Sequence, residues 1–193
     1  SHAHPDHQMG DAAFKQMTGA QTMFTAEDVP ALQNMKAGGK EHPIDKTIHD
    51  GDKVEVGGMT LTAHLTPGHT LGTTTWTFPV RDGGRTYNVV IVGAGLPDDA
   101  RIVYNQQNPK AADQWADTIA TLDKLPCDVF LGAHSWFFNL TGKYKKVQAS
   151  PKANPYLDAA GYKKFVAEMK TTREKLIKEQ TAAGPPPPRG AGA

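Results

Sequence analysis

Residues 1–7 read SHAHPDH and place three histidines and one aspartate within six consecutive positions. In an extended backbone, which rises about 3.3 Å per residue, His2, His4 and Asp6 lie on the same side at intervals of about 6.6 Å. Pro5 disfavours helical geometry at His4 and so protects this arrangement. If a helix begins near Asp6, the chain turns there and His7 need not point away. The segment therefore predicts two neighbouring metal sites, the first with His2 and His4, the second with Asp6 and His7.

Each predicted site needs a further ligand, because a catalytic zinc ion takes three protein ligands and a water molecule. His69 in LTPGHTLG and His134 in FLGAHSWFF each follow an apolar run at a predicted strand end, beside small residues that permit close backbone approach. We expect His69 to complete the first site and His134 the second. The other histidines have no second type of ligand clustered with them, and we interpret them as structural: His42, His49 and His64.

The composition is typical of a water-soluble globular protein: 193 residues, 38% hydrophobic, 8% aromatic, with a net charge of +1. No run approaches the ~20 apolar residues that span a bilayer, so we expect no membrane association.

Between residues 143 and 180 there are ten basic and four acidic residues. We interpret this excess as the solvated face of a C-terminal helix and expect no nucleic-acid partner. The lone Cys127 excludes an internal disulfide and precedes an apolar run, where a buried thiol is expected.

The order of the predicted elements indicates a mixed α/β domain over residues 1–180, followed by a Pro/Gly-rich flexible tail over 181–193. Hairpins are predicted in KVEVGGMTLTAHLTP and in TTTWTFPVRDGGRTYNVVIVGAG, the second with its turn at residues 82–84. DVFLGAH predicts a further strand. The predicted helices run from the opening motif to Gly19, over 27–36 with Thr25 as cap, from Asn108 and Pro109 onward, and over roughly 158–179.

Three segments, SHAHPDH, TPGHTLGTTTW and GAHSWFF in this order, resemble the metallo-β-lactamase superfamily, most closely the third subclass of class B metallo-β-lactamases. The resemblance covers nearly all of the chain up to about Gln180. It implies an αββα sandwich that holds two Zn²⁺ ions. The implied ligands are His2, His4 and His69 for one ion, and Asp6, His7 and His134 for the other. It also implies that a metal-bound hydroxide opens the β-lactam amide ring, with Asp6 orienting this hydroxide and handling its proton.

Members of this family carry several strands and a helix before the HxHxDH motif. The resemblance therefore implies that the N-terminal portion of the domain is missing from this chain. An uncovered sheet edge and face would then permit self-association. The implied substrate is a small molecule, a β-lactam, and the implied location is periplasmic or secreted. The alternatives are another hydrolase of the same fold (a lactonase, thioesterase or phosphodiesterase) or an inactive metal-binding fragment.

One loop departs from the family pattern. Third-subclass enzymes typically carry small hydroxyl residues after the strand that corresponds to VVIV, whereas this chain has AGL at residues 94–96. Elsewhere in the superfamily an aspartate of this region bridges the metals, and Asp98 or Asp99 would do so here, although a solvated loop acid is the favoured interpretation. Beside His134, the aromatic residues 136–138 would form an apolar wall for the substrate, with core packing as the alternative for two of them.

Overall fold

The computed structural model describes residues 1–37, 39–150, 152 and 154–187, and its largest sheet consists of the two predicted hairpins and the predicted strand that follows them. The described strands are β1 (Met23–Thr25), β2 (Lys36–Ala37), β3 (Lys40–Glu41), β4 (Lys46–Ile48), β5 (Lys53–Val56), β6 (Met59–Leu65), β7 (Thr74–Asp82), β8 (Arg85–Val92) and β9 (Val129–Gly132). The large sheet has the order β5-β6-β7-β8-β9, with β8 and β9 parallel and the other neighbours antiparallel. Two small sheets pair β1 with β4 and β2 with β3.

Both hairpins are confirmed, and each turns through a Gly-Gly pair. Gly57 and Gly58 link β5 to β6 with φ angles of 57° and 81°. Positive φ at both central residues gives a two-residue turn whose twist matches that of the paired strands, and glycine adopts it without a Cβ clash. The second hairpin pairs Asp82 directly with Arg85. Since β6 ends at Leu65, the first hairpin leads directly into the loop that carries His69.

The main hydrophobic core lies between this sheet and two of the helices. The described helices are α1 (Pro5–Gln8), α2 (Asp11–Thr18), α3 (Val29–Gln33), α4 (Ala111–Lys124), α5 (Leu140–Ala149) and α6 (Ala159–Ala183). Trp115 of α4 and Phe130 of β9 are fully buried there. The Tyr162 hydroxyl of α6 donates to the carbonyl oxygen of Leu122 in α4 at 2.7 Å, which ties the two helices together. Burial of each large side chain contributes about 1.5–3 kcal/mol. The α/β class predicted from the sequence is confirmed.

The predicted start of two helices is wrong. The predicted helix 27–36 is shorter, since α3 spans only Val29–Gln33. Its predicted cap, Thr25, belongs to β1, where the hydroxyl donates to the carbonyl oxygen of Gly72 at 2.6 Å. Helix α4 begins after Lys110 rather than at Asn108, whose side-chain amide instead donates to Gln114 Oε1 at 2.7 Å. In both cases the side chain that resembles a cap in the sequence has another partner: a distant loop for Thr25, and a side chain of α4 itself for Asn108.

Helix α5 was not predicted, because its lysine-rich sequence lacks a clear apolar stripe. Two other predicted helix ends agree with the structure. Helix α2 ends at Gly19 as expected. Helix α6 begins after Asp158, whose carboxylate accepts from the Gly161 N–H at 2.9 Å.

Helix α6 extends to Ala183 and therefore includes the first residues of the predicted tail over 181–193. Residues 188–193 lie outside the described residues, and the flexible tail stays a prediction. Within the described ranges, no helix is both long and apolar enough to cross a membrane.

The sheet edge at β5 carries Lys53 and Glu55, and charged residues on an edge strand disfavour pairing with a second sheet. The predicted self-association also stays a prediction.

Cys127 is half-buried rather than buried, at the border of the main core. Burial raises the pKa of its thiol to about 12. The thiol therefore stays protonated at neutral pH and packs as a small apolar group.

Candidate metal centre

The first predicted group of ligands converges in the structure. His2, His4 and His69 place one nitrogen each within 4.8 Å of the others. His4 Nδ1 lies 3.1 Å from His69 Nε2. The ring centroid of His2 lies 4.8 Å from that of His4 and 4.5 Å from that of His69. A loop 65 positions further along the chain thus meets the opening segment at the predicted place.

The second predicted group, Asp6, His7 and His134, converges in the same way. His7 Nε2 lies 3.2 Å from His134 Nε2. Asp6 Oδ2 lies 3.4 Å from the former nitrogen and 3.7 Å from the latter. The ring centroids of His2 and His7 are 4.1 Å apart, so the two groups are immediate neighbours.

The local backbone explains why one short segment contributes to both groups. His4 has extended geometry, with φ −112° and ψ 150°, and Pro5 is the first residue of α1. Proline fits the first helical position because its missing N–H would have no intrahelical partner there. As predicted, the chain changes from extended geometry to a helix near Asp6, so His7 does not point away from the other ligand candidates. The role of all six residues as ligands stays a prediction.

The geometry fits tetrahedral zinc. Ligand atoms at about 2.0–2.1 Å from a tetrahedral ion are about 3.4 Å from each other. The observed separations of 3.1 Å and 3.2 Å between histidine nitrogens are close to this value. His2 adds independent support: it is 3% exposed, its Nδ1 donates to the carbonyl oxygen of Gly93 at 3.2 Å, and its Nε2 has no hydrogen-bond partner among the described residues. A backbone carbonyl that holds one ring nitrogen leaves the other free to bind a metal.

The electrostatics favour the metal-binding form of the histidines. Burial, and next the neighbouring His69, lower the pKa of His2 to about 3. Burial, and next His4, lower the pKa of His69 to about 4. Burial also lowers the pKa of His7, although Asp6 acts in the opposite direction. At neutral pH these imidazoles are therefore uncharged, which is the protonation state that coordinates a metal.

Asp28 joins the two loops that carry the first group, and sequence reasoning missed it. This buried carboxylate accepts from the Ala3 N–H at 2.8 Å, the Thr70 hydroxyl at 2.8 Å and the Gly72 N–H at 2.7 Å. Ala3 lies between His2 and His4, and Thr70 follows His69. One side chain therefore fixes both backbones relative to each other. The only sequence signal was an aspartate just before a short helix, which is common at helix starts without any such role.

Gly68 holds the His69 loop against the core, and this yields a prediction for stability. Its φ is 125°, and a Cβ on it would lie 2.8 Å from Cδ2 and Cε2 of the buried Trp115. Gly51 is a matched control, because its φ is 80° but a Cβ there would meet nothing within 4 Å. We expect Gly51→Ala to cost about 1–2 kcal/mol from backbone strain. Gly68→Ala should cost about 2–4 kcal/mol, since overpacking adds to the strain.

Denaturant unfolding of both metal-free variants measures this difference. Equal losses for Gly68→Ala and Gly51→Ala would show that the contact with Trp115 contributes nothing, and that only the backbone conformation matters. A larger loss for Gly68→Ala, accompanied by weaker zinc binding, would show that core packing positions His69.

The remaining histidines lie outside both groups. His64 Nε2 lies 2.7 Å from the Thr77 hydroxyl on the neighbouring strand. The buried His42 places its Nε2 3.4 Å from Asp11 Oδ2, and His49 is exposed. Each has an environment of its own, in keeping with the structural interpretation.

A cleft of about 620 Å³ opens over the two groups. His2, His69 and His134 contribute to its lining, together with the loop 94–96 and Trp136. Phe137 also lines the cleft, whereas Phe138 packs in the core, so the wall contains two of the three predicted aromatic residues. The loop side of the cleft is therefore largely apolar.

The two loop acids do not join the ligand groups found among the described residues. Asp98 lines the cleft, where its Oδ1 accepts from the Thr172 hydroxyl of α6 at 3.2 Å. Both Asp98 and Asp99 are exposed. This arrangement favours the interpretation of solvated loop acids over that of a metal bridge.

Comparisons with solved structures give strong similarity. The FEZ-1 metallo-β-lactamase from Legionella gormanii is 37% identical with a TM-score of 0.86, and the match covers 94% of this chain and 73% of that one. BJP-1, a subclass B3 metallo-β-lactamase of Bradyrhizobium japonicum, is 30% identical with a TM-score of 0.83, covering 94% of this chain and 72% of that one.

Among curated proteins, a hydroxyacylglutathione hydrolase of Hyphomonas neptunium is 35% identical over 79 residues. That match covers 41% of this chain and spans only 27% of the length of the relative. No family model matches the chain.

Proposed function

The chain belongs to the metallo-β-lactamase family, and from this premise we propose that it is a zinc-dependent hydrolase that opens the amide ring of β-lactams. The observation that carries the proposal is the pair of adjacent three-residue ligand groups beneath one cleft. The similarity to two metallo-β-lactamases over most of their length supports the choice of substrate.

The two groups would each hold one zinc ion. The proposed ligands are His2, His4 and His69 for the first ion, and Asp6, His7 and His134 for the second. Zinc at such sites polarises a carbonyl and lowers the pKa of bound water from 15.7 to about 7, so that a nucleophile forms near neutral pH. The first group offers three histidine nitrogens and the second offers two histidine nitrogens and one carboxylate oxygen, all of which suit zinc.

Asp6 is the residue that we propose to handle the proton. Its Oδ2 lies beside His7 and His134, so the other oxygen of the carboxylate can accept a hydrogen bond from the attacking water. Burial acts to raise the pKa of Asp6, but His7 offsets this and holds it below its usual value, so the carboxylate is ionised and able to accept. The oxygen of water bonds to the carbonyl carbon, the C–N bond breaks, and the proton reaches the nitrogen by way of Asp6.

His2 and Asp28 keep the site in position while this occurs. The hydrogen bond to Gly93 fixes the ring of His2, and the carboxylate of Asp28 fixes the loops on both sides of the first group. A site that is fixed before the substrate binds loses little free energy to reorganisation during the reaction.

A thioester hydrolase is the second candidate. It is favoured by the similarity of part of the chain to the hydroxyacylglutathione hydrolase. The same addition of water to an acyl carbon would then break a C–S bond, and the thiol would leave. The loop 94–96 lacks hydroxyl groups that would bind a β-lactam carboxylate, which leaves this alternative open to test.

Turnover by the metal-depleted and zinc-reconstituted chain tests the proposal. After chelator treatment we expect no hydrolysis of nitrocefin, and activity should return with zinc and level off near two equivalents per chain. A hydroxyacylglutathione thioester is the parallel substrate. Hydrolysis of the thioester but not of nitrocefin by the zinc-loaded chain would reject the β-lactamase proposal and select the second candidate.

A further inference from the structure

Trp136 is an exposed aromatic residue at the mouth of the cleft. It lies after β9, two positions beyond His134, and 70% of its surface is accessible to solvent. Large aromatic side chains in water give up the free energy that burial would provide. Exposure of the indole next to a candidate metal centre therefore suggests that something other than the fold covers it.

The indole is held in place although it is exposed. One face stacks on the His134 ring, with centroids 4.0 Å apart and an angle of 16° between the planes. Phe137 meets it edge to face at 5.9 Å and is itself packed against Phe165 of α6 at 5.3 Å. With 70% of Trp136 exposed, the opposite face of the indole is open to solvent in the part of the chain that the structure describes. A ring that is fixed on one side and free on the other loses little conformational entropy when a ligand stacks on it.

The chemistry of the surrounding wall indicates what kind of group would stack there. Ala94, Leu96, Phe165 and Met169 contribute apolar surface to the same cleft. Two acidic residues, Asp98 and Glu168, also line it, whereas no lysine or arginine does so in the described part of the chain. A planar or apolar group is thus better matched to this wall than an anionic one.

We propose that Trp136 determines substrate specificity by binding a planar apolar substituent on the acyl side of the substrate. The inference rests on the proposed function for the identity of the substrate. The free face of the indole stacks on the substituent while the reacting amide lies over the ligand groups. Trp136 thereby contributes to binding and takes no part in proton transfer.

Two penicillins that differ by one phenyl ring test this: benzylpenicillin and 6-acetamidopenicillanic acid. In the zinc-loaded chain, Trp136→Ala should reduce the preference for the phenyl compound, measured as the ratio of kcat/KM values, by about three- to tenfold. The change should appear in KM rather than kcat. Trp136→Phe, which keeps a smaller ring, should lose less. Tyr144→Ala removes a similarly exposed aromatic side chain outside the cleft and should leave the ratio unchanged.

A merely structural role gives a different result. If Trp136 only supports His134, then Trp136→Ala weakens zinc binding and lowers turnover of both penicillins equally, which overturns the inference. Calorimetric titration with the two ring-opened products measures the same preference without turnover. If the native chain hydrolyses neither penicillin, the proposed function fails, and the ratio of product affinities in native and Trp136→Ala chains still decides the role of Trp136.

Discussion

His69→Ala should lower kcat/KM of the zinc-reconstituted chain by more than about 100-fold. Removal of this imidazole leaves only His2 and His4 in the first group, whereas catalytic zinc sites use three protein ligands. Loss of a residue that merely supports a ligand already costs about 10–100-fold in metal affinity or activity, so loss of a ligand itself should cost more. Zinc content per chain after dialysis, measured beside turnover of the same sample, provides the test.

His64→Ala is the matched control. His64 lies on β6, five positions before His69, and its Nε2 is 2.7 Å from the Thr77 hydroxyl on β7, outside both ligand groups. Its replacement should leave zinc content and turnover close to those of the native chain. Retention of two zinc ions and full turnover by His69→Ala would reject the site. Equal losses in both variants would instead point to damage to β6 and the loop that follows it.

The ligand groups could be predicted because their signal is local. Six positions hold four of the six candidate ligands, and Pro5 restricts how the backbone between them can run. The remaining two histidines follow strands, and strand ends bring distant loops together at one edge of a sheet. The family assigned from these motifs is confirmed by the similarity to the Legionella enzyme, and with it the metallo-β-lactamase type of fold.

The hairpins could be predicted for the same reason, since a Gly-Gly turn between alternating strands depends on few neighbours. The helix starts could not. Thr25 resembles a cap in the sequence, but its hydroxyl bonds to Gly72, which lies 47 positions away. Helix α5 follows Asn139, whose side chain caps the helix by accepting from the Gly142 N–H at 3.1 Å. The lysine-rich sequence after it has no clear apolar stripe, so the cap was not recognised. Local pattern predicts an element only where tertiary contacts agree with it.

The role of Asp28 at the site could not be predicted from the local sequence pattern either. Its replacement gives the second prediction with a large expected effect. Asp28→Ala should lower the free energy of unfolding of the metal-free chain by about 3–6 kcal/mol, since it leaves three donors without their acceptor. It should also weaken zinc binding about 10–100-fold, because the backbones beside His2 and His69 lose their common anchor. Denaturant unfolding and competition with a zinc chelator measure the two effects.

Asp28→Asn separates charge from shape. Its amide oxygen can still accept from Gly72, but its NH₂ group would meet the donors of Ala3 and Thr70, so an intermediate loss is expected.

Asp50→Ala is the control, because this exposed carboxylate also accepts from a backbone N–H near the same loop, that of Leu65 at 2.7 Å. It should cost less than about 1.5 kcal/mol, since water can replace it. If Asp28→Ala unfolds more easily yet binds zinc as tightly as the native chain, then Asp28 stabilises the fold without positioning the ligands. If zinc binding instead weakens in proportion to the number of lost hydrogen bonds, less in Asp28→Asn and more in Asp28→Ala, then this buried carboxylate sets the distance between the two ligand loops.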